Sequence, residues 1–314
     1  MTHSTRRTFI SLALAGITGV ALTGCASGDS APKVTLALST LSNPFFADLR
    51  DGAQKAARTA GIDLAVVNAQ DNPESQLDQL RTAAVNGSRA VIVNPVDSDA
   101  AKPAATAVMD QGIPLIAVDR GITDRTPGSF IASDNVAGGR QAATLLAGLL
   151  GGAGRIAVLE GQPGASATRD RGAGFLEELR KHSGLQVVAS QTANFDREEA
   201  LDVMANMVQA APDIDAVYAH NDEMALGAAV ALGSRAGKDV KIIGFDGGGD
   251  ALEAVKAGTL SGTIAQSPAE LGRQAVLQAL RAIDGKPLQE SVPVAVTTVT
   301  SKNVDEFMNK AKES

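Results

Sequence analysis

The strongest constraint on this chain is a rhythm. Short apolar runs recur at residues 34–38, 64–67, 90–93 and 114–118, and again at 155–159, 186–189, 216–219 and 241–244. Longer amphipathic stretches lie between them. Residues 45–60 place Phe46, Leu49, Ala53, Ala56 and Ala60 along one helical face, and Gly61 follows as a stop. Residues 136–150 behave likewise and end at Gly151-Gly152, and 165–179, 198–210, 223–235 and 271–283 fit the same pattern. A strand and its crossover helix take about 30 residues, which is roughly the distance from one run to the next. The pattern therefore predicts β-α-β units, run twice. Strands with no polar alternation belong to parallel sheets covered on both faces. At 314 residues a single core has stopped growing, so two α/β lobes are expected.

Composition narrows the chemistry. There are 28 Lys and Arg against 35 Asp and Glu, a formal charge of −7, which argues against a nucleic-acid partner. The lone Cys excludes an intrachain disulfide and a Cys-based zinc site. Three His, one at the extreme N-terminus, leave little for a His-ligated metal. Aromatics are 3% with no Trp, so each Phe in a loop is informative.

The N-terminal segment reads as an address. Arg6 and Arg7 precede an apolar run over 9–22, and no acidic residue comes before Asp29. The run is short for a bilayer span and has the order of an export signal. Thr5-Arg6-Arg7-Thr8-Phe9-Ile10 resembles a twin-arginine signal. Leu22-Thr23-Gly24-Cys25 resembles a bacterial lipoprotein cleavage box, which would make Cys25 the first mature residue and the lipid carrier. The plainer alternative is that Cys25 is only a small residue in an apolar run. Residues 1–24 are thus expected to be a signal peptide and 25–33 a flexible tether. Cleavage would remove two Arg and no acid, taking the charge from −7 to −9. Such a chain is anchored to the outer face of the cytoplasmic membrane and does not span it.

In an open α/β sheet, ligands bind outside the carboxyl ends of the strands. The residues that close the apolar runs are therefore the candidates. The first run ends in Ser39, followed by Asn43-Pro44-Phe45-Phe46, the third in Asn94-Pro95, and the fourth in Asp119-Arg120. In the second half, Asn221-Asp222 and Phe245-Asp246-Gly247 occupy equivalent places, and the run at 263–265 ends in Gln266. Arg169 and Arg171 open a helix, and Phe195 sits in a loop after Gln191. Two such ends facing each other make a cleft of carboxylates, guanidinium groups, amides and Phe rings. That mixture suits a polyhydroxylated ring: hydroxyls both donate and accept, vicinal pairs match a carboxylate or an Arg fork, and the C–H faces pack on aromatics. Each candidate has a bland alternative. Asp222 and Asp196 read as helix N-caps, and Phe45 or Phe46 alone would suit a core. Arg169 and Arg171 cannot both face one way, and Gly247-Gly248-Gly249 reads as a turn.

These residues closely resemble a known family, the bacterial D-ribose-binding proteins of ABC importers. The likeness rests on Ser39-Thr40-Leu41-Ser42-Asn43-Pro44-Phe45-Phe46, Asn94-Pro95-Val96-Asp97-Ser98-Asp99-Ala100, Asp119-Arg120, Ile131-Ala132-Ser133-Asp134-Asn135, Asn221-Asp222-Glu223-Met224-Ala225-Leu226-Gly227 and Gly244-Phe245-Asp246-Gly247. It runs from about Val34 to Val296. The resemblance implies two similar doubly wound parallel-sheet lobes of periplasmic-binding-protein type, joined by three hinge crossings near Ser133-Asp134, Gln266-Ser267 and Ala295-Val296. The lobes would be 34–133 plus 267–295, and 134–266 plus 296–314. It implies ligand contacts from Ser39, Asn43, Phe45, Phe46, Asp119, Arg120, Arg171, Phe195, Asn221, Asp246 and Gln266, with the Phe rings sandwiching a pyranose. It also implies D-ribose capture by a monomer, delivery to ABC permease subunits, a chemoreceptor as an optional further partner, and no cofactor. Allose, xylose, galactose or a furanose signal are the alternative ligands. The signal and lipobox depart from the soluble periplasmic members.

Two other function classes fit the sequence less well. A lactose-repressor-type sugar sensor shares the two-lobe fold, but it needs an N-terminal helix-turn-helix where this chain has an export signal. A serine hydrolase needs G-x-S-x-G, and Gly164-Ala165-Ser166-Ala167-Thr168 breaks it at the last position. His182 lies in a polar helix end, and His220 alternates away from Asn221, so neither suggests a triad.

Overall fold

A computed structural model describes residues 1–3, 31–124 and 126–313. Arg6, Arg7 and Cys25, with most of the expected signal and of the tether, lie outside the described residues. No helix among the described residues is long and apolar enough to cross a membrane.

The first sheet is built from β1 (Lys33–Leu38), β2 (Asp63–Asn68), β3 (Ala90–Val93), β4 (Leu115–Val118) and β5 (Ser129–Ser133). The second is built from β6 (Ala153–Glu160), β7 (Gly184–Thr192), β8 (Ala216–Ala219), β9 (Lys241–Asp246) and β10 (Gly262–Ala265). Late in the chain, β11 (Ser291–Val294) adds to the first sheet and β12 (Thr297–Val299) to the second. The strand orders are β11-β5-β4-β3-β1-β2 and β12-β10-β9-β8-β6-β7. All pairings are parallel except β10 with β12. The two sheets are thus the same winding built twice, each with its order reversing beside the first strand. That reversal point is where such sheets open a crevice at their carboxyl ends.

The helices follow from capping and spacing. In the first half, α1 (Pro44–Ala60), α2 (Pro73–Val85) and α3 (Lys102–Asp110) cover the sheet, and α9 (Pro268–Ile283) returns to pack on α1. In the second half, α4 (Asn135–Leu149) packs on α5 (Ser166–Leu179) and α6 (Arg197–Ala210) on α7 (Asp222–Leu232). Between α7 and α9 comes α8 (Gly249–Ala257), and α10 (Val304–Glu313) ends the chain. Asn43, Asn72, Asp134, Asp196 and Asn221 each accept a backbone N–H from the first turn of the helix they precede. Gly61, in the left-handed region at φ 66, closes α1 with its N–H on the carbonyls of the last turn.

The chain passes between the sheets three times, between β5 and α4, between β10 and α9, and between β11 and β12. Each sheet has a core on both faces. Leu36, Leu38, Leu49, Ile92, Ile116 and Leu271 fill one side of the first sheet, and Leu80, Val91, Val93 and Val108 the other. Helix pairs are drawn close by glycine. A Cβ on Gly272 of α9 would lie 2.1 Å from the Leu49 carbonyl oxygen of α1, and one on Gly174 of α5 would lie 2.0 Å from that of Val136 in α4.

Gly272→Ala tests this packing. Overpacking costs ~1–3 kcal/mol, against a helix-propensity gain of about 1 kcal/mol. Because the obstructing atom is backbone, the cost is expected to win, lowering the urea midpoint with an unchanged m value. Val85→Ser, at an 82% exposed position, is the control and should stay within about 0.5 kcal/mol.

Candidate functional site

One cavity gathers Asn43, Phe45, Phe46, Asp119 and Arg120 from the first sheet's carboxyl ends. It gathers Arg171, Phe195, Asn221, Asp246 and Gln266 from the second half. It encloses about 260 Å³ of space counted out to its mouth, open solvent included. Ten of the eleven candidate residues line it. Ser39 does not. It is fully buried behind the wall, and its N–H donates to Asn94 Oδ1 at 3.2 Å. Ala167, in the first turn of α5, also lines the cavity. A methyl group carries no chemical signal, so sequence reasoning had no means of selecting it.

Each polar group is held by its own element. Asn43 and Asn221 cap α1 and α7 with Oδ1 at 2.9 Å from the N–H of Phe45 and Met224, and Asn221 Nδ2 donates to the Phe195 carbonyl at 3.2 Å. Asp119 accepts from Asn94 Nδ2 at 3.1 Å. Arg120 lies between two rings, its guanidinium carbon 5.4 Å from the centroids of both Phe46 and Phe195. Arg171 lies 3.8 Å over the Phe245 ring, and its Nε donates to Asn135 Oδ1 at 2.9 Å. Gln266 Nε2 donates to Asp246 Oδ1 at 2.7 Å. Arg169, the other arginine of that helix, faces solvent and donates to the Gly164 carbonyl.

Three cavity residues sit at positive φ: Asp119 at 65°, Phe195 at 65° and Asp246 at 131°. The left-handed region costs a non-Gly residue of order 1–3 kcal/mol. Here it turns side chains at strand ends back over the sheet edge. Asp119 opens the turn after β4, and Asp246 ends β9.

The charges balance. Asp119 faces Arg120 with Oδ2 and Nε 3.7 Å apart, and Asp246 faces Arg171 with Oδ1 and NH1 3.7 Å apart. Both separations exceed hydrogen-bond length, so neither pair saturates itself. Arg120 Nε and Gln266 Oε1 are buried and reach no hydrogen-bond partner among the described residues. Burial pushes the Asp119 and Asp246 carboxyls up, opposed by the neighbouring Arg charges, and lowers the Arg120 guanidinium. A site with two of each charge, spare donors and acceptors, and flat rings can hold an uncharged polyol through charge-assisted hydrogen bonds.

Asp222 corrects the sequence reading. Asn221, not Asp222, is the cap of α7. The Asp222 carboxylate is 2% exposed and accepts from Thr263 Oγ1 at 2.7 Å and from the N–H of Gly247 and Gly248 at 2.8 Å each. It thereby holds the turn that follows Asp246, and the glycines there form a bracketed turn. Asp196 is a cap, as expected. His220 is buried on the α4–α5 side of its sheet beside Tyr218, its imidazole pushed down to about 3 by burial, and stays neutral.

A family model described as periplasmic binding protein domain matches residues 34–287. The chain is 42% identical to the ribose import binding protein RbsB of Salmonella typhimurium, covering 90% of this chain and 96% of that one. It is 33% identical to a xylitol-binding protein of Mycolicibacterium smegmatis, over 94% and 86%. Among solved structures, an ABC transporter solute-binding protein of Bacillus halodurans with bound myo-inositol superposes with a TM-score of 0.85 at 33% identity, covering 90% of this chain and all of that one.

The Asp222 carboxyl is pushed up to about 6, first by burial, with the Thr263, Gly248 and Gly247 hydrogen bonds pulling the other way. A native value above the unfolded one of about 3.9 means the native state binds the proton more tightly. Its contribution is therefore fully present below about pH 4, is lost as pH rises toward 6, and is flat above. Urea melts of wild type and Asp222→Asn between pH 3.5 and 8 should show the wild type losing about 3 kcal/mol relative to the variant across that window. A pH-independent difference would exclude titration of this group.

Proposed function

The chain belongs to the periplasmic binding protein family, the sugar-binding receptors of ABC importers, and from that premise we propose that it captures D-ribose in the cleft and hands it to a membrane permease. The observation that carries this reading is the cavity itself. It has two unsaturated Asp–Arg pairs with two Asn and one Gln, walled by Phe45, Phe46 and Phe195. The balanced charge favours a neutral sugar over a sugar phosphate or a cation. The likeness to ribose import binding proteins supports ribose among neutral sugars. The family implies export, and relatives that bind solutes for ABC importers place this chain outside the enzymes.

In this reading the lobes are 34–133 plus 267–295 and 134–266 plus 296–314. The crossings near residues 133–134, 266–267 and 295–296 act as the hinge. The sugar binds the closed arrangement better than the open one, and only that difference shifts the equilibrium. The permease then reads the closed surface. Cys25 carries the lipid that keeps the receptor at the outer face of the cytoplasmic membrane, and the receptor acts as a monomer.

Calorimetry with D-ribose should give micromolar binding, about −8 kcal/mol. A thermal-shift panel of ribose, xylose, arabinose, allose, galactose, xylitol and myo-inositol should respond most to ribose. A larger shift with another sugar would replace ribose as the ligand, and no shift at all would end the sugar-receptor reading. Asp246→Ala should weaken ribose binding by ~2 kcal/mol or more, because Arg171 and the sugar hydroxyls lose their acceptor. Cys25→Ala should move the protein from the membrane to the soluble fraction, and persistent membrane fractionation would rule out lipidation at that residue.

A further inference from the structure

The segment 162–168, which carries the broken G-x-S-x-G match, runs from the β6–α5 loop into the first turn of α5 in the second half. It meets the loops after β3 and β4 of the first half. Ser98 N–H donates to the Gly164 carbonyl at 3.0 Å, Ser166 N–H to Ser98 Oγ at 3.2 Å, and Gly121 N–H to Ser166 Oγ at 2.9 Å. The approach is close enough that a Cβ on Gly164 would fall 1.8 Å from Asp97 Oδ2. At one end of this seam stands Gln162. Its Oε1 accepts from Arg120 NH1 at 2.9 Å, and its Nε2 donates to Asp71 Oδ1 at 3.3 Å.

Arg120 makes this contact consequential. It is 3% exposed and lines the cavity. Its NH1 has two other acceptors, the carbonyls of Pro95 at 3.2 Å and Val96 at 3.3 Å, both from its own lobe and both longer. Gln162 is the acceptor contributed by the opposite lobe. It can be made only when the lobes meet, and an open arrangement leaves NH1 with the two carbonyls alone. We propose that Gln162 is a positioning residue for the ligand site, a clasp that orients the Arg120 guanidinium on closure and thereby sets how long the sugar is retained. This rests on the receptor reading given above.

A contact made only on closure leaves encounter with the open cleft unchanged, so its loss falls on the dissociation rate. Surface plasmon resonance on the immobilised full chain, with D-ribose as analyte, separates the two rates. Gln162→Leu, which keeps bulk but offers no acceptor, should raise the dissociation rate about tenfold and leave the association rate within about twofold. The double variant Gln162→Glu with Asp71→Asn restores an acceptor toward Arg120 and a donor toward residue 162, and should return the dissociation rate to within about threefold of wild type. Unchanged dissociation in Gln162→Leu, or a double variant as fast as Gln162→Leu, would overturn the clasp. Hydrogen exchange of the ligand-free proteins keeps this separate from ligand identity. Peptides containing Ser98, Gly121 and Ser166 should exchange faster in Gln162→Leu than in wild type. If wild type binds no D-ribose, the ribose reading fails, and this exchange comparison alone decides the clasp, equal exchange overturning it.

Discussion

Two buried Asp–Arg pairs, each held just beyond hydrogen-bonding distance, are the interaction on which the site depends. A buried ion pair that bonds only to itself is a neutral plug, and its desolvation is offset only if the remaining lone pairs and protons find partners. Here Asp119 and Asp246 are each braced by one amide, from Asn94 and Gln266. The two guanidinium groups are braced by backbone carbonyls, by Asn135 and by aromatic faces. What remains of each group's bonding capacity points at the cavity. Asp119, Phe195 and Asp246, all of them cavity residues, also hold positive φ, strain of the kind that collects at ligand clamps.

The scaffold keeps these groups in place by repeating one solution. Parallel strands packed on both faces leave their carboxyl ends as the positions where polar side chains meet solvent. The helix that follows each strand begins at the same edge, so one residue can serve two purposes. Asn43 and Asn221 cap their helices and line the cavity with the same side chain. The distinction between helix cap and cavity-lining residue is therefore a false choice at these positions. Asp222 belongs to neither class. It is buried beneath the site and ties α7, β10 and the turn after β9 together through one carboxylate.

Much of this was legible from residue order. Apolar runs at roughly 30-residue spacing located β1–β4 and β6–β9, and the helical faces of α1, α4, α5, α6, α7 and α9 followed from 3.6-residue periodicity. The N-terminal limits moved by one to three residues, and α7 gave way to a tighter turn at Gly233. The elements that escaped were β5, α2, α3, α8 and α10 and the two late strands, β11 and β12. Those strands are four and three residues long, with exposed positions that give no apolar run. They lie at sheet edges, where half of each strand's surroundings is solvent or loop, so pairing and not composition defines them.

The kinds of residue at the strand ends, and hence a cleft chemically suited to a hydroxyl-rich ligand, were set by the amino-acid order alone. Only the folded chain decided which way those side chains turn. Ser39 is fully buried with its backbone N–H on Asn94, Asp222 lies under the site and not in it, and Gln162 reaches Arg120 across the seam. These outcomes depend on loop dihedrals and on contacts between segments 25 or more residues apart, and no local spacing in a sequence encodes either.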